Sequence, residues 1–183
     1  MKNDIRREIQ LARVTRDRPG LMAELELSGG GNLLAALGLV AYSEALGRLR
    51  IWNRGLGYGR HAEDCFLAFL DEMDGGSYGR WREDWEHGHP TTTLYETLRC
   101  GLMHEYQPKI DSEFWIGDGH PLGLAEENGR LIFKVEPYHR HFGAEADRLY
   151  AQLMALADPQ IPPPLLKGAP ASRAATPVVS PTS

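Results

Sequence analysis

Apolar residues recur at helical spacing along most of this chain, and that periodicity constrains the fold more than any other feature. The segment 32–50 contains few β-branched residues, which favours a helix over a strand. Its apolar side chains recur at helical spacing, at Leu33, Leu37, Val40, Ala41 and Leu46. The pattern predicts a helix that begins at Asn32, a good N-cap residue, and ends near residue 50.

The same criteria predict four more helices and three short strands. We expect helices over about 3–17, 61–73 and 138–157, and one capped by Thr91–Thr93 that ends near Tyr106. Residues 74–90 are expected to be irregular, with at most one short turn. The strands are expected in "FWIGDG", "LGLAEE" and "RLIFKVE", and Asn128-Gly129 predicts a hairpin turn between the last two. The fold class is therefore mainly α, a bundle of four to five helices with a small β-hairpin insert before the last helix.

The chain is expected to contain one domain. Its 183 residues suffice for a single hydrophobic core over residues 1–158. Residues 159–183 are rich in Pro, Ala and Ser without periodicity, so we predict a disordered tail there. The charged N-terminus has no apolar signal segment behind it and no apolar run is long enough to span a bilayer, which predicts a cytoplasmic protein without a membrane partner.

Charge and cysteine content exclude some classes of protein. Residues 1–158 hold 18 of the 20 basic residues and all 25 acidic residues, a net charge of −7. A domain this acidic is not expected to bind nucleic acid over a broad surface, so any contact has to be local. The two cysteines, Cys65 and Cys100, form no disulfide framework and are predicted to be small, reduced core residues.

Arg99 and His104 interrupt the apolar pattern of the fourth helix. At 100° per residue, side chains five positions apart lie about 140° from each other around an α-helix. Neither lies on the predicted buried stripe of Leu94, Leu98, Leu102 and Tyr106. An imidazole can move the proton of a ribose 2′-hydroxyl, and a guanidinium can bind a phosphate bidentately. The pair therefore suits RNA cleavage that requires no metal ligand set.

The stretch "LYETLRCGLMHEYQPK", with Arg99 and His104 as an R-x4-H motif, resembles the HEPN superfamily of small helical proteins. "LAALGLVAYSEALGRLR", which contains Glu44, is similar to the long early helix of such domains. The resemblance covers residues 30–157 loosely and 94–109 well. It implies a helical bundle and a homodimer in which the R-x4-H pairs of two subunits meet in a cleft. Many members are metal-independent ribonucleases, often toxins or defence effectors, whereas others are non-catalytic binding or assembly modules.

Two functions follow as expectations. In the first, the protein is a metal-independent endoribonuclease of toxin or defence type, with Arg99 and His104 as catalytic residues and an antitoxin or regulatory protein as a candidate partner. In the second, it is a non-catalytic, dimeric binding or regulatory module. There, Arg99 forms an ion pair with Glu96 or Glu44 and His104 caps the helix end. Glu44, Glu96 and Cys100 are the predicted supporting residues, and Cys100 stands where active members often have a polar residue.

Residues 45–62 form the most basic local window. The window contains four arginines and no acid, with two aromatic residues between them that could stack on bases. The predicted RNA contacts are Arg48, Arg50, Trp52, Arg54, Tyr58 and Arg60. The alternative is a helix end with cations at its negative pole, followed by a solvated glycine loop.

The remaining motifs predict no further chemistry. A second R-x4-H match, Arg82 to His87, lies in the segment expected to be irregular, and we interpret it as accidental. The pairs His87–His89 and His139–His141 lack further ligands at metal-binding spacing, so surface histidines are expected. No cofactor and no metal site are predicted.

Overall fold

The chain folds into a mainly helical structure with a small three-stranded sheet. The structure, a computed structural model, describes residues 2–17, 31–56, 61–105, 112–117 and 119–155. The predicted tail at 159–183 lies outside the described residues, as do Tyr58, Arg60 and Tyr106. The elements are α1 (Lys2–Asp17), α2 (Gly31–Asn53), α3 (Ala62–Leu70), a 3-10 turn (Met73–Gly76), α4 (Ser77–Gly88), a π-helix (Glu96–Glu105), β1 (Ser112–Trp115), β2 (Leu124–Glu127), β3 (Arg130–Lys134) and α5 (Val135–Met154).

α2 is the central helix of the structure. It packs against α1, α3, the π-helix and α5. The core contains Ala35, Ala36, Leu39 and Val40 of this helix, each at most 1% exposed. Of the apolar residues that predicted the helix only Val40 is buried, whereas Leu33, Leu37, Ala41 and Leu46 are half-buried. The prediction of helices α1, α2, α3 and α5 is confirmed, with shifts of a few residues at their ends.

The expectation of irregular structure at 74–90 is wrong, because residues 77–88 form α4. The apolar residues of this helix are the aromatic side chains Tyr78, Trp81 and Trp85, which recur at i, i+3 and i+7. Tyr78 is fully buried and Trp85 is 4% exposed. Two of the four glycines in this segment, Gly75 and Gly76, belong to the preceding turn, where they adopt positive φ angles.

The predicted hairpin is confirmed, and so is the third predicted strand, although β1 begins two residues before the expected segment "FWIGDG". β2 and β3 pair antiparallel around Asn128 and Gly129, which both have the positive φ angles of the expected turn. β1 pairs in parallel with β3 on its other edge, so the strand order is β1-β3-β2. Phe114, Phe133 and Leu124 form one row across the sheet. Because β3 leads directly into α5, the sheet fixes where that helix begins.

Among the residues that the structure describes, none of the helices combines the length and the apolar character needed to cross a membrane.

Cys65 is buried and Cys100 half-buried. Burial raises the pKa of the Cys65 thiol above its ordinary value, although the charge of Arg48 opposes the shift. Cys65 is therefore a neutral core thiol, as expected.

Gly47 is the point where α2 and α3 approach most closely, and its substitution tests the packing. A Cβ atom at residue 47 would lie 1.6 Å from the Cys65 carbonyl oxygen, which is backbone and cannot rotate away. We expect Gly47→Ala to lower the free energy of unfolding by about 3 kcal/mol, measured by urea denaturation.

Gly143→Ala is the matched control. This glycine lies inside α5, and a Cβ there would meet nothing within 4 Å. Alanine should raise stability by about 0.5–1 kcal/mol through its higher helix propensity. Equal stability of the two variants would show that α2 and α3 do not make the close contact at Gly47.

Candidate functional site

The helix that carries Arg99 and His104 is a π-helix, so the expectation of an α-helix is wrong in its hydrogen-bond register. π-helices usually form a single turn inside an α-helix and are frequent at functional sites. Here the register extends over the ten residues Glu96–Glu105. Leu94, Leu98 and Leu102 are nevertheless buried, each at most 1% exposed, as their spacing predicted.

The π register changes how positions 99 and 104 relate to each other. In a π-helix the backbone N–H of one residue bonds to the carbonyl five residues earlier. Positions 99 and 104 are five apart, so on the backbone they lie about one turn apart on the same side of the helix. An α-helix would separate them by about 140°. The side chain of His104 lies outside the described part of the chain.

A capping box fixes the start of this helical segment. The Thr93 hydroxyl accepts a hydrogen bond from the Glu96 N–H at 3.1 Å, and a Glu96 carboxylate oxygen accepts one from the Thr93 N–H at 3.3 Å. The predicted capping by a threonine of 91–93 is thus confirmed. Glu96, predicted to support Arg99, has its carboxylate engaged with the backbone of the cap instead.

Arg99 is held by Glu44 of α2. The Arg99 Nε donates to Glu44 Oε2 at 2.6 Å, and the two side chains are only 19% and 13% exposed. The other oxygen of Glu44 lies 3.5 Å from a terminal nitrogen of Arg48, one helical turn further along α2. Burial by itself would lower the pKa of Arg99, but its hydrogen bond to Glu44 and the charge of that carboxylate raise it. The guanidinium is therefore charged and oriented.

Tyr95, directly before the π-helix, and Cys100, within it, complete this cluster. Burial raises the pKa of Tyr95 to about 12, against the lowering effect of Arg99, and a hydrogen bond to Cys100 adds to the rise. Near neutral pH the site thus presents a neutral hydroxyl beside a fixed guanidinium–carboxylate pair. We call the cluster of Glu44, Arg48, Tyr95, Arg99 and Cys100 the Arg99 site.

The predicted RNA-binding segment is divided by the structure. Arg50 is 2% exposed and pairs with Glu145 and Glu72, so it does not reach a surface where it could contact RNA. Arg54 is about half-exposed and pairs with Glu72, and Trp52 is half-buried. Arg48 belongs to the Arg99 site. The segment is therefore mainly an ion-pair network rather than a basic surface, at least over its described residues.

The second R-x4-H match lies on α4. Arg82 forms a bidentate pair with Asp71 at 2.9 and 3.0 Å and a further pair with Glu86 at 2.7 Å. His87 is exposed. The two hydrogen bonds to Asp71 hold α4 against the end of α3 and give this motif a structural role.

His141 is a residue that the sequence interpretation missed, because it was expected to lie on the surface. It is half-buried, and its Nδ1 lies 3.0 Å from the hydroxyl of Tyr78. That hydroxyl accepts the backbone N–H of Gly123 at 2.8 Å, so its own proton is available to donate to the histidine. The contact joins α4 to α5, and no local sequence spacing could have indicated it.

A cavity of about 500 Å³ opens beside His141, next to the buried network around Arg50. Its carboxylates are mostly engaged: Asp71 with Arg82, Glu72 with Arg50, Arg54 and Arg148, and Glu145 with Arg50 and Arg148. Within the described ranges, no group of three or more His, Cys, Asp or Glu side chains could hold a metal ion. The cavity therefore presents few polar groups that a ligand could bind without breaking an ion pair.

Glu145→Gln tests the buried pair with Arg50. Removing one partner of a buried ion pair leaves an uncompensated charge, which costs about 3–5 kcal/mol. Because Arg50 keeps Glu72 at 3.2 Å, we expect a loss near the lower limit of that range in urea denaturation. Glu126→Gln, on an exposed part of β2, is the control and should change stability by less than about 0.5 kcal/mol. Equal effects of both variants would refute the buried pair.

Glu72 makes stability depend on pH. Burial alone would raise its pKa, but hydrogen bonds from Arg54 and Arg148 and the charge of Arg50 hold it below the ordinary value of 4.5. Since the folded-state pKa is lowered, the stabilisation is present above pH 4.5 and is lost as pH falls through the folded-state value. Glu72→Gln should therefore flatten the fall in unfolding free energy on acidification. An unchanged slope in that variant would contradict the assignment.

Comparisons with known proteins add no identity. No family model, no curated protein and no solved structure matches this chain. The resemblance to the HEPN superfamily therefore rests on the sequence pattern around Arg99 and His104 alone.

Proposed function

We propose that this chain is a HEPN-like, metal-independent endoribonuclease in which Arg99 and His104 are the catalytic residues. The observation that carries the proposal is the π-helix, which brings backbone positions 99 and 104 to the same side. Two side chains on one side of a helix can act on one phosphate, whereas side chains about 140° apart on an α-helix face different partners. The rare register thus coincides with the R-x4-H pair that the resemblance identifies as catalytic.

Arg99 binds the phosphate in this mechanism, and Glu44 positions it. The carboxylate at 2.6 Å from Nε sets the plane of the guanidinium before RNA arrives. A guanidinium fixed in this way can stabilise negative charge that develops on the phosphorus oxygens without reorganising. Glu44 acts through Arg99 and does not contact RNA.

His104 transfers the proton. The ribose 2′-oxygen attacks the adjacent phosphorus, the bond from phosphorus to the 5′-oxygen breaks, and the products are a 2′,3′-cyclic phosphate and a 5′-hydroxyl. An imidazole can take the proton of the attacking 2′-hydroxyl or supply the proton of the leaving oxygen, because its pKa lies close to neutrality. The resemblance adds a homodimer, in which the pairs of two subunits share one cleft. An antitoxin or regulatory protein would restrain this activity.

One observation favours the second candidate function, a non-catalytic dimeric binding module. Arg99 is already engaged by Glu44, and its side chain is only 19% exposed. An ion pair this well covered can serve packing between α2 and the π-helix alone. The two functions differ in whether the purified protein cleaves RNA.

Cleavage of a labelled random-sequence RNA pool in excess EDTA decides between them. We expect the wild type to release cyclic-phosphate products and His104→Ala to lose roughly a hundredfold or more in rate, the usual contribution of a proton-transferring residue. Arg99→Lys should also be impaired, because lysine cannot replace a bidentate guanidinium.

His87→Ala is the matched control, since His87 belongs to the second R-x4-H match and is exposed. It should cleave at the wild-type rate. Equal cleavage by wild type and His104→Ala would indicate a contaminating nuclease. Absence of cleavage by the wild type would reject the proposal in favour of the binding module.

A further inference from the structure

A cleft between α1 and α5 is lined by an unusual concentration of arginine. Its volume is about 340 Å³, and the floor includes Ile9, which is 5% exposed. The polar lining comes from both helices: Arg6, Gln10, Arg13, Glu136, His139 and Arg140. The Arg99 site and the cavity beside His141 share none of these residues.

The helical periodicity of both walls explains why these side chains meet. On α1, residues 6, 10 and 13 follow i, i+4, i+7 spacing, and on α5 residues 136, 139 and 140 follow i, i+3, i+4 spacing, so each set occupies one helix face. The Arg13 Nε donates to Glu136 Oε1 at 2.5 Å, which ties the two faces together. Glu136 is 8% exposed and Arg13 is 51% exposed, so this contact is part-buried.

The charge of the cleft has the opposite sign to that of the domain. Among the residues that line the cleft, three carry guanidinium groups and one carries a carboxylate, while residues 1–158 carry a net charge of −7. Glu136 accepts a hydrogen bond from Arg13 and orients it. On α5, Glu136 lies in the first turn, and His139 and Arg140 follow it in the next turn. A concave positive site in an acidic domain attracts an anion of matching size.

We propose that the cleft between α1 and α5 binds a phosphate group. Guanidinium groups form paired hydrogen bonds with phosphate oxygens, and the Gln10 amide can donate another. A volume of about 340 Å³ accommodates a phosphate together with the group that carries it. The source is either free phosphate or the backbone of an RNA strand, since both present the same oxygens. Binding requires no cleavage, so this inference does not rest on the proposed function.

The test measures the binding of two probes to the full-length protein. One is inorganic phosphate, followed by calorimetry, and the other is a short 2′-O-methyl oligoribonucleotide, followed by fluorescence anisotropy. The methylated probe cannot be cleaved through its 2′-oxygen, so failure of nuclease activity leaves the result intact. We expect Arg6→Gln to weaken binding roughly tenfold and Arg6→Gln/Arg140→Gln to weaken it further.

Arg7→Gln is the matched control. It removes the same charge from the same turn of α1, but Arg7 is 76% exposed, pairs with Glu8 and lies outside the cleft. It should bind both probes like the wild type. For the oligonucleotide, removing an arginine that contacts phosphate should also reduce the slope of log affinity against log salt by about 0.7.

Each outcome decides the proposal. If the cleft variants lose binding of the oligonucleotide but keep binding of inorganic phosphate, the result supports an RNA backbone as the ligand. If they lose binding of inorganic phosphate but keep binding of the oligonucleotide, it supports a free phosphate. Equal weakening by Arg6→Gln and Arg7→Gln would show a general charge effect and overturn the proposal. No binding of either probe by the wild type would overturn it as well.

Discussion

The buried pair between Arg50 of α2 and Glu145 of α5 is the interaction on which the arrangement of the helices most depends. Both side chains are at most 5% exposed. The Arg50 guanidinium also donates to the Ala68 carbonyl at 3.3 Å and lies 5.4 Å from the centre of the Phe69 ring. Two charges are stable in such surroundings only when their hydrogen-bonding groups are satisfied together, which restricts how α2, α3 and α5 can slide past one another.

This restriction reaches the Arg99 site through α2. Glu44 and Arg50 are six residues apart. At 100° per residue, a rotation of about 240° around the axis of α2 separates them, so their side chains project from different sides of the helix. With Arg50 fixed against α5, Glu44 is directed toward the π-helix, where it meets Arg99 at 2.6 Å. The position of the proposed phosphate-binding guanidinium thus depends on a charge pair elsewhere on the same helix. In this account, the network around Arg50 supports the site without taking part in its chemistry.

Much of the fold could be predicted from local signals, and the failures have physical reasons. Helical periodicity was sufficient for α2, and the turn residues Asn128 and Gly129 were sufficient for the hairpin. α4 was missed because its stripe is aromatic and lies between glycines. The π register was missed because Leu94, Leu98 and Leu102 recur every four residues, a spacing that does not distinguish i→i+4 from i→i+5 hydrogen bonds. The parallel pairing of β1 depends on long-range contacts that no local pattern specifies.

The site was only partly predictable for a related reason. An ion pair between Arg99 and Glu44 was one of the alternatives, because both residues stood in recognisable helices. Arg50 was assigned to RNA because a run of arginines without acids looks like a basic surface in one dimension. Its partner Glu145 is 95 residues away, so only the folded structure shows that the charge is neutralised. The cleft at Arg13 and Glu136 joins residues 123 apart, and was invisible in the sequence for the same reason.

The central claim is that the π-helix lets Arg99 and His104 act on a single phosphate, and a crystal structure of the full-length protein with a 2′-O-methyl RNA would test it most directly. The account predicts i→i+5 hydrogen bonds over residues 96–105, with the Arg99 guanidinium and the His104 imidazole both in hydrogen-bonding range of the same phosphodiester unit. An α-helical register with the two side chains on different faces, or a phosphate that contacts neither residue, would contradict it.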